Sequence, residues 1–77
     1  MKASELYDKQ KKEITEGKRH HINFLEIRFE LYKEGERLSK IKSLLERQSG
    51  NQDEIDKLKL DLRLLALEVR KVDKILF

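Results

Sequence analysis

The sequence predicts an all-α protein that contains an antiparallel helical hairpin. The 77 residues include no proline and only three glycines, so little interrupts helix formation. Charged residues make up 43% of the chain, a composition typical of long helices and coiled coils. Two apolar heptad patterns flank one strong turn signal, Ser49-Gly50-Asn51. These observations together favour two long helices joined by a turn at 49–51.

The second hairpin helix, predicted over 52–77, has the clearest pattern. Asn51 followed by Glu54 is a variant of the capping box, and Asp53 places an acid where the helix dipole favours one. Gly50 fits the left-handed position that ends a preceding helix. The apolar positions follow an unbroken 3-4 spacing: Ile55, Leu58, Leu62, Leu65, Val69, Val72 and Leu76.

The first hairpin helix, predicted over 18–48, carries a matching seam. Its members are Phe24, Ile27, Leu31, Leu38, Ile41 and Leu45. When the chain reverses at the turn, the residue numbers of facing positions add to about 100 in every layer. The layers run from Leu45 opposite Ile55 to Phe24 opposite Leu76. This register predicts antiparallel pairing along both helices.

Two features favour other arrangements of the same residues. Gly35 lies inside the first helix, where it costs about 1 kcal/mol relative to alanine. It marks either a kink or an earlier turn, and a turn there would pair Leu31 with Leu38 in a three-helix arrangement. Residues 27–31 also alternate apolar and polar side chains, as a half-buried strand does.

The N-terminal segment, residues 1–17, is predicted to be a basic helical segment of the same single domain, 1–77. Its few apolar positions are Ala3, Leu6, Tyr7 and Ile14. Gly17 then either forms a hinge or lies within one long helix that continues into the hairpin.

Seven large apolar residues outside the seam form a second stripe on each hairpin helix. They are Ile22, Leu25, Phe29 and Tyr32 on the first helix, and Leu60, Leu64 and Leu67 on the second. Leaving them all exposed would forfeit on the order of 10 kcal/mol, comparable to the whole stability of a small domain. The N-terminal segment folded onto the Phe29 stripe, a second copy, or another protein would cover them. We expect a homo-oligomer, either a dimer or a larger helical bundle, and a protein partner.

The polar residues predict neither catalysis nor a metal or cofactor site. There is no cysteine and no glycine-rich phosphate loop. The adjacent His20 and His21 point about 100° apart on a helix, and Glu16 with His20 supplies two metal ligands without a third. No run of about 18 apolar residues is present, so we expect no membrane span. The absence of cysteine fits the cytoplasmic location that we expect.

A basic cluster near the N-terminus is the candidate nucleic-acid contact. It comprises Lys9, Lys11, Lys12, Lys18 and Arg19, followed by the histidine pair. Glu13 and Glu16 interrupt it, no aromatic side chain lies among its charges, and the net charge of the chain is only +3. Nucleic-acid binding is therefore the alternative prediction rather than the leading one.

Three short segments resemble the small two-helix protein of the large ribosomal subunit near the peptide exit. They are Met1-Lys2-Ala3-Ser4-Glu5-Leu6, Ile27-Arg28-Phe29-Glu30 followed by Gly35, and the stretch from Leu38 to Leu45. The resemblance covers about half of the chain and requires a turn at Gly35. It implies rRNA contacts by Lys2, Arg28, Lys40 and Lys42.

The leading functional prediction is a non-enzymatic, self-associating interaction module. Its small size and lack of a catalytic pattern suit a regulator, inhibitor or assembly factor, of the kind that phages and mobile elements encode. The alternative is an RNA- or DNA-associated helical protein, such as a divergent ribosomal protein.

Overall fold

The computed structural model describes residues 2–77, which form three helices and no strand. The helices are α1 (Ala3–Thr15), α2 (Phe24–Glu46) and α3 (Gln52–Leu76). The all-α prediction is confirmed, and the strand considered for residues 27–31 is wrong because this segment lies inside α2. The Cα envelope measures 49 × 26 × 14 Å, so the protein is elongated and thin.

Helices α2 and α3 form the predicted antiparallel hairpin, and α2 runs without interruption through Gly35. A Cβ atom added to Gly35 would lie 3.3 Å from Cδ2 of Leu65. The glycine therefore permits close approach of α3 rather than marking a turn or ending the helix. The alternative with a turn at Gly35 is wrong because α2 continues through this residue, and the turn that the ribosomal resemblance requires is therefore absent. Gly35 and Leu65 face each other in the predicted register.

The core lies in the half of the hairpin far from the turn at 49–51, which we call the open end of the hairpin. Ile27, Leu31, Leu65 and Val72 form one buried cluster, while Ile55 is buried separately near the turn. The partly buried side chains packed on this cluster are Ala3, Leu6, Ile22, Phe24, Leu38, Val69 and Leu76. Both hairpin seams and α1 therefore contribute to one small core.

Helix α1 ends in a Schellman motif at Gly17, which has a φ of +75°. The N–H of Lys18 donates to the carbonyl oxygen of Glu13 at 2.8 Å, and the N–H of Gly17 donates to that of Ile14 at 3.1 Å. This motif reverses the chain, so Gly17 is a hinge. The prediction that the first hairpin helix begins at residue 18 is wrong, because residues 18–23 connect the two helices.

Asn23 begins α2 as an N-cap, since its side-chain oxygen accepts from the N–H of Glu26 at 3.1 Å. Helix α2 ends at Glu46, two residues before the predicted end at 48. Gly50, at φ +84°, lies in the following turn rather than directly after the helix. The capping box predicted at Asn51 does not form: its side chain makes no capping hydrogen bond to α3, and its Nδ2 donates to Oε1 of Gln48.

Candidate interaction surfaces

A buried glutamine attaches α1 to the start of α2. Gln10 is only 4% exposed, and its Oε1 accepts from the backbone N–H of Asn23 at 2.7 Å. Its Nε2 donates to the carbonyl oxygen of the same residue at 3.2 Å. One side-chain amide thus forms hydrogen bonds with both backbone groups of Asn23, the N-cap of α2. These partly buried polar atoms therefore have partners.

The other end of α1 is held by α3. The backbone N–H of Ala3 donates to Oε2 of Glu68 at 3.1 Å, and Lys71 forms an ion pair with the same carboxylate at 3.2 Å. Burial acts to raise the pKa of Glu68, but the hydrogen bond from Ala3 and the contact with Lys71 outweigh it and leave the pKa lowered. The ionised carboxylate therefore positions the first turn of α1 on the hairpin.

Helix α1 covers the groove between α2 and α3 only near the open end of the hairpin. Ala3 and Leu6 pack on the core, and the ring of Tyr7 stacks on that of Phe24 with centroids 6.1 Å apart. The alternative that α1 covers the Phe29 stripe is wrong, because Phe29 remains 60% exposed. The groove has enough apolar lining to attract the few apolar side chains of α1.

We expect Gln10→Ala to detach α1 while leaving the hairpin folded. The substitution removes both hydrogen bonds to Asn23 and should lower the free energy of unfolding by about 1–3 kcal/mol. Hydrogen exchange should accelerate in residues 3–15 and change little at Leu31. Lys11→Ala on the exposed side of α1 is the control, and equal acceleration in that variant would contradict the role of Gln10.

The three predicted leucines on α3 form an exposed row, which we call the α3 stripe. Leu60, Leu64 and Leu67 are 54%, 52% and 51% exposed. Leu64 and Leu67 also line an open groove of about 840 Å³ between α2 and α3, which Lys2 borders at the start of α1. About half of each of these side chains therefore remains uncovered by residues 2–77.

The predicted apolar residues on α2 have a different environment. Leu25, Phe29 and Tyr32 are 62%, 60% and 47% exposed. The ammonium of Lys33 lies 5.3 Å from the ring centre of Phe29, and the guanidinium carbon of Arg28 lies 4.7 Å from that of Tyr32. These cations partly cover the two aromatic rings, which lowers the cost of their exposure.

Ile22 does not belong to the α2 row, contrary to the sequence prediction. It lies before the first residue of α2 and packs, half-buried, against the core cluster. The helical spacing that placed it with Leu25 does not apply, because residues 18–23 are not helical. The exposed apolar surface of α2 is therefore shorter than predicted.

The basic cluster largely pairs with neighbouring acids. Lys12 and Lys18 lie 4.0 and 2.9 Å from Glu16, and Arg19 lies 3.0 Å from Glu26 and 3.9 Å from Glu13. Lys9 and Lys11 are exposed on α1. These pairs reduce the positive potential that phosphate groups would meet. Nucleic-acid binding stays a prediction, which a salt titration with generic RNA and DNA would test.

Within residues 2–77, no three His, Cys, Asp or Glu side chains are arranged to hold a metal ion. None of the three helices has a stretch long and apolar enough to cross a membrane. Comparisons with protein families, with curated proteins and with solved structures found no match to this chain.

Several contacting residues were missed at the level of sequence. Asn23 followed by Glu26 is a recognisable N-cap signal, whereas Gln10 has none, because a glutamine within a helix is usually exposed. The ion pair between Arg28 and Asp73, at 2.7 Å, also went unpredicted, although the two positions face each other in the hairpin register.

Proposed function

We propose that this protein is a non-enzymatic helical interaction module that self-associates through the α3 stripe. The observation that supports the proposal most directly is the continuous exposure of Leu60, Leu64 and Leu67 on one helix. Only five apolar side chains are buried within residues 2–77, so a single copy has a small core. A partner that covers the stripe adds the apolar burial that the core lacks.

The α3 stripe suits this role better than the exposed row on α2. The aromatic rings of Phe29 and Tyr32 already contact cationic side chains, whereas leucine side chains gain stability only from apolar contact. Leu60, Leu64 and Leu67 also follow 4-3 spacing, the pattern by which one helix packs against another. The same surface would serve a regulator, inhibitor or assembly factor that binds a second protein.

We expect Leu64→Glu to convert an oligomer into a monomer without loss of helicity. The substitution places a charge at the centre of the stripe, where burial against a partner would be costly, while position 64 is half-exposed in the single copy. Light scattering reports the mass, and circular dichroism reports the helix content.

Leu25→Glu is the matched control, because Leu25 is also an exposed leucine, 62% against 52% for Leu64, but lies on α2. The mass of this variant should equal that of the unmutated chain. If the unmutated chain is a monomer at high concentration, self-association is wrong.

A further inference from the structure

We infer that the occupant of the α3 stripe is the α3 stripe of a second copy, in antiparallel orientation about a two-fold axis near Leu64. This inference rests on the proposed self-association and adds its geometry. The order of charges along the stripe favours this direction of pairing over the parallel one.

The stripe continues beyond the leucines in both directions with the same 3-4 spacing, and its two outermost residues have opposite charges. Towards the start of α3 it passes Lys57 and reaches Asp53, and towards the end it passes Lys71 and reaches Lys74. These outermost charges follow the helix dipole, which favours acids at the N-terminal end and bases at the C-terminal end. Asp53 and Lys74 are therefore complementary to each other.

Antiparallel pairing brings these complementary ends together. With the axis near Leu64, Asp53 of one copy faces Lys74 of the other, and Leu60 faces Leu67. A parallel pair would instead set Asp53 against Asp53 and Lys74 against Lys74. The charges therefore favour one of the two orientations of the same leucines.

The groups needed for this pairing are accessible in the single copy. Asp53 and Lys74 are exposed and form no ion pair with any residue in the range 2–77. The side chain of Lys71 is 68% exposed. Helix α1 contacts α3 near Glu68, Lys71 and Val72, and neither Asp53 nor Lys74 lines the pocket between α1 and α3.

The stripe is long enough for a stable pair of helices. Asp53 and Lys74 are separated by three heptads, about 32 Å at the rise of an α-helix.

Lys57 is the unfavourable residue of the stripe, because it approaches Lys71 of the other copy in this register. Lys57→Glu should therefore strengthen the dimer.

The test measures the dimer dissociation constant by sedimentation equilibrium at low salt. Asp53→Lys and Lys74→Asp, made singly, should each raise this constant about three- to tenfold, because two-fold symmetry places every change at both ends of the pair. The double variant, Asp53→Lys with Lys74→Asp, should return it to within about twofold of the unmutated value. Lys59→Asp, a charge reversal off the stripe, is the control and should leave it unchanged.

The outcomes separate the geometry from the proposed function. If the unmutated chain stays monomeric, both the antiparallel pairing and the proposed self-association are wrong. A dimer that Leu64→Glu dissociates, but whose dissociation constant does not respond to the single charge reversals, overturns only the antiparallel pairing. Failure of the double variant to recover, or an equal response to Lys59→Asp, also overturns it, since either result would reflect net charge rather than facing pairs.

Discussion

Leu31→Ala is expected to lower the free energy of unfolding by about 3 kcal/mol, a large part of the stability of a small domain. Leu31 is 0% exposed and lies in the core cluster with Ile27, Leu65 and Val72. Truncation removes apolar contacts from both hairpin helices and leaves a cavity that the thin structure can only partly close. Urea unfolding followed by circular dichroism measures the loss.

Leu25→Ala is the control for this substitution, because it makes the same change on the same helix at a position that is 62% exposed. We expect it to cost no more than about 0.5 kcal/mol. Equal losses in the two variants would show that the assigned inner and outer faces of α2 are wrong.

Gly35→Val is expected to destabilise the hairpin by about 2 kcal/mol. Even a Cβ atom at this position would lie 3.3 Å from Cδ2 of Leu65, and valine adds two further methyl groups. The gain in helix propensity over glycine is smaller than the cost of separating the two helices. Thermal and urea unfolding would both report the change.

A second substitution tests whether the crowding involves Leu65. Leu65→Ala opens space beside Gly35, so the double variant should lose at least about 1 kcal/mol less than the two single variants combined. Strict additivity would contradict the close contact. Ser39→Val, at an exposed site one turn further along α2, provides the matched β-branched control.

The heptad pattern was sufficient to predict the hairpin, because apolar residues at matching positions on two helices can be buried together in only one register. Leu31 and Val72 occupy that seam as predicted, and Gly50 lies in the turn between the helices. Helix ends were predicted less well. The Schellman motif at Gly17 and the N-cap at Asn23 each have a local sequence signal. The start of the first hairpin helix depends on both, because the first ends α1 and the second begins α2 after a non-helical connection.

The sequence alone determined the all-α class, the antiparallel pairing of the two long helices and the presence of apolar residues beyond their seam, since these depend on periodicity along the chain. Only the tertiary structure decided that α1 covers the groove beside Ile27, that Gln10 is buried, and that Gly35 accommodates Leu65. It also distinguished the half-buried Ile22 from the exposed Leu64. These outcomes depend on which surfaces meet in space, and the spacing of residues within one helix carries no information about that choice.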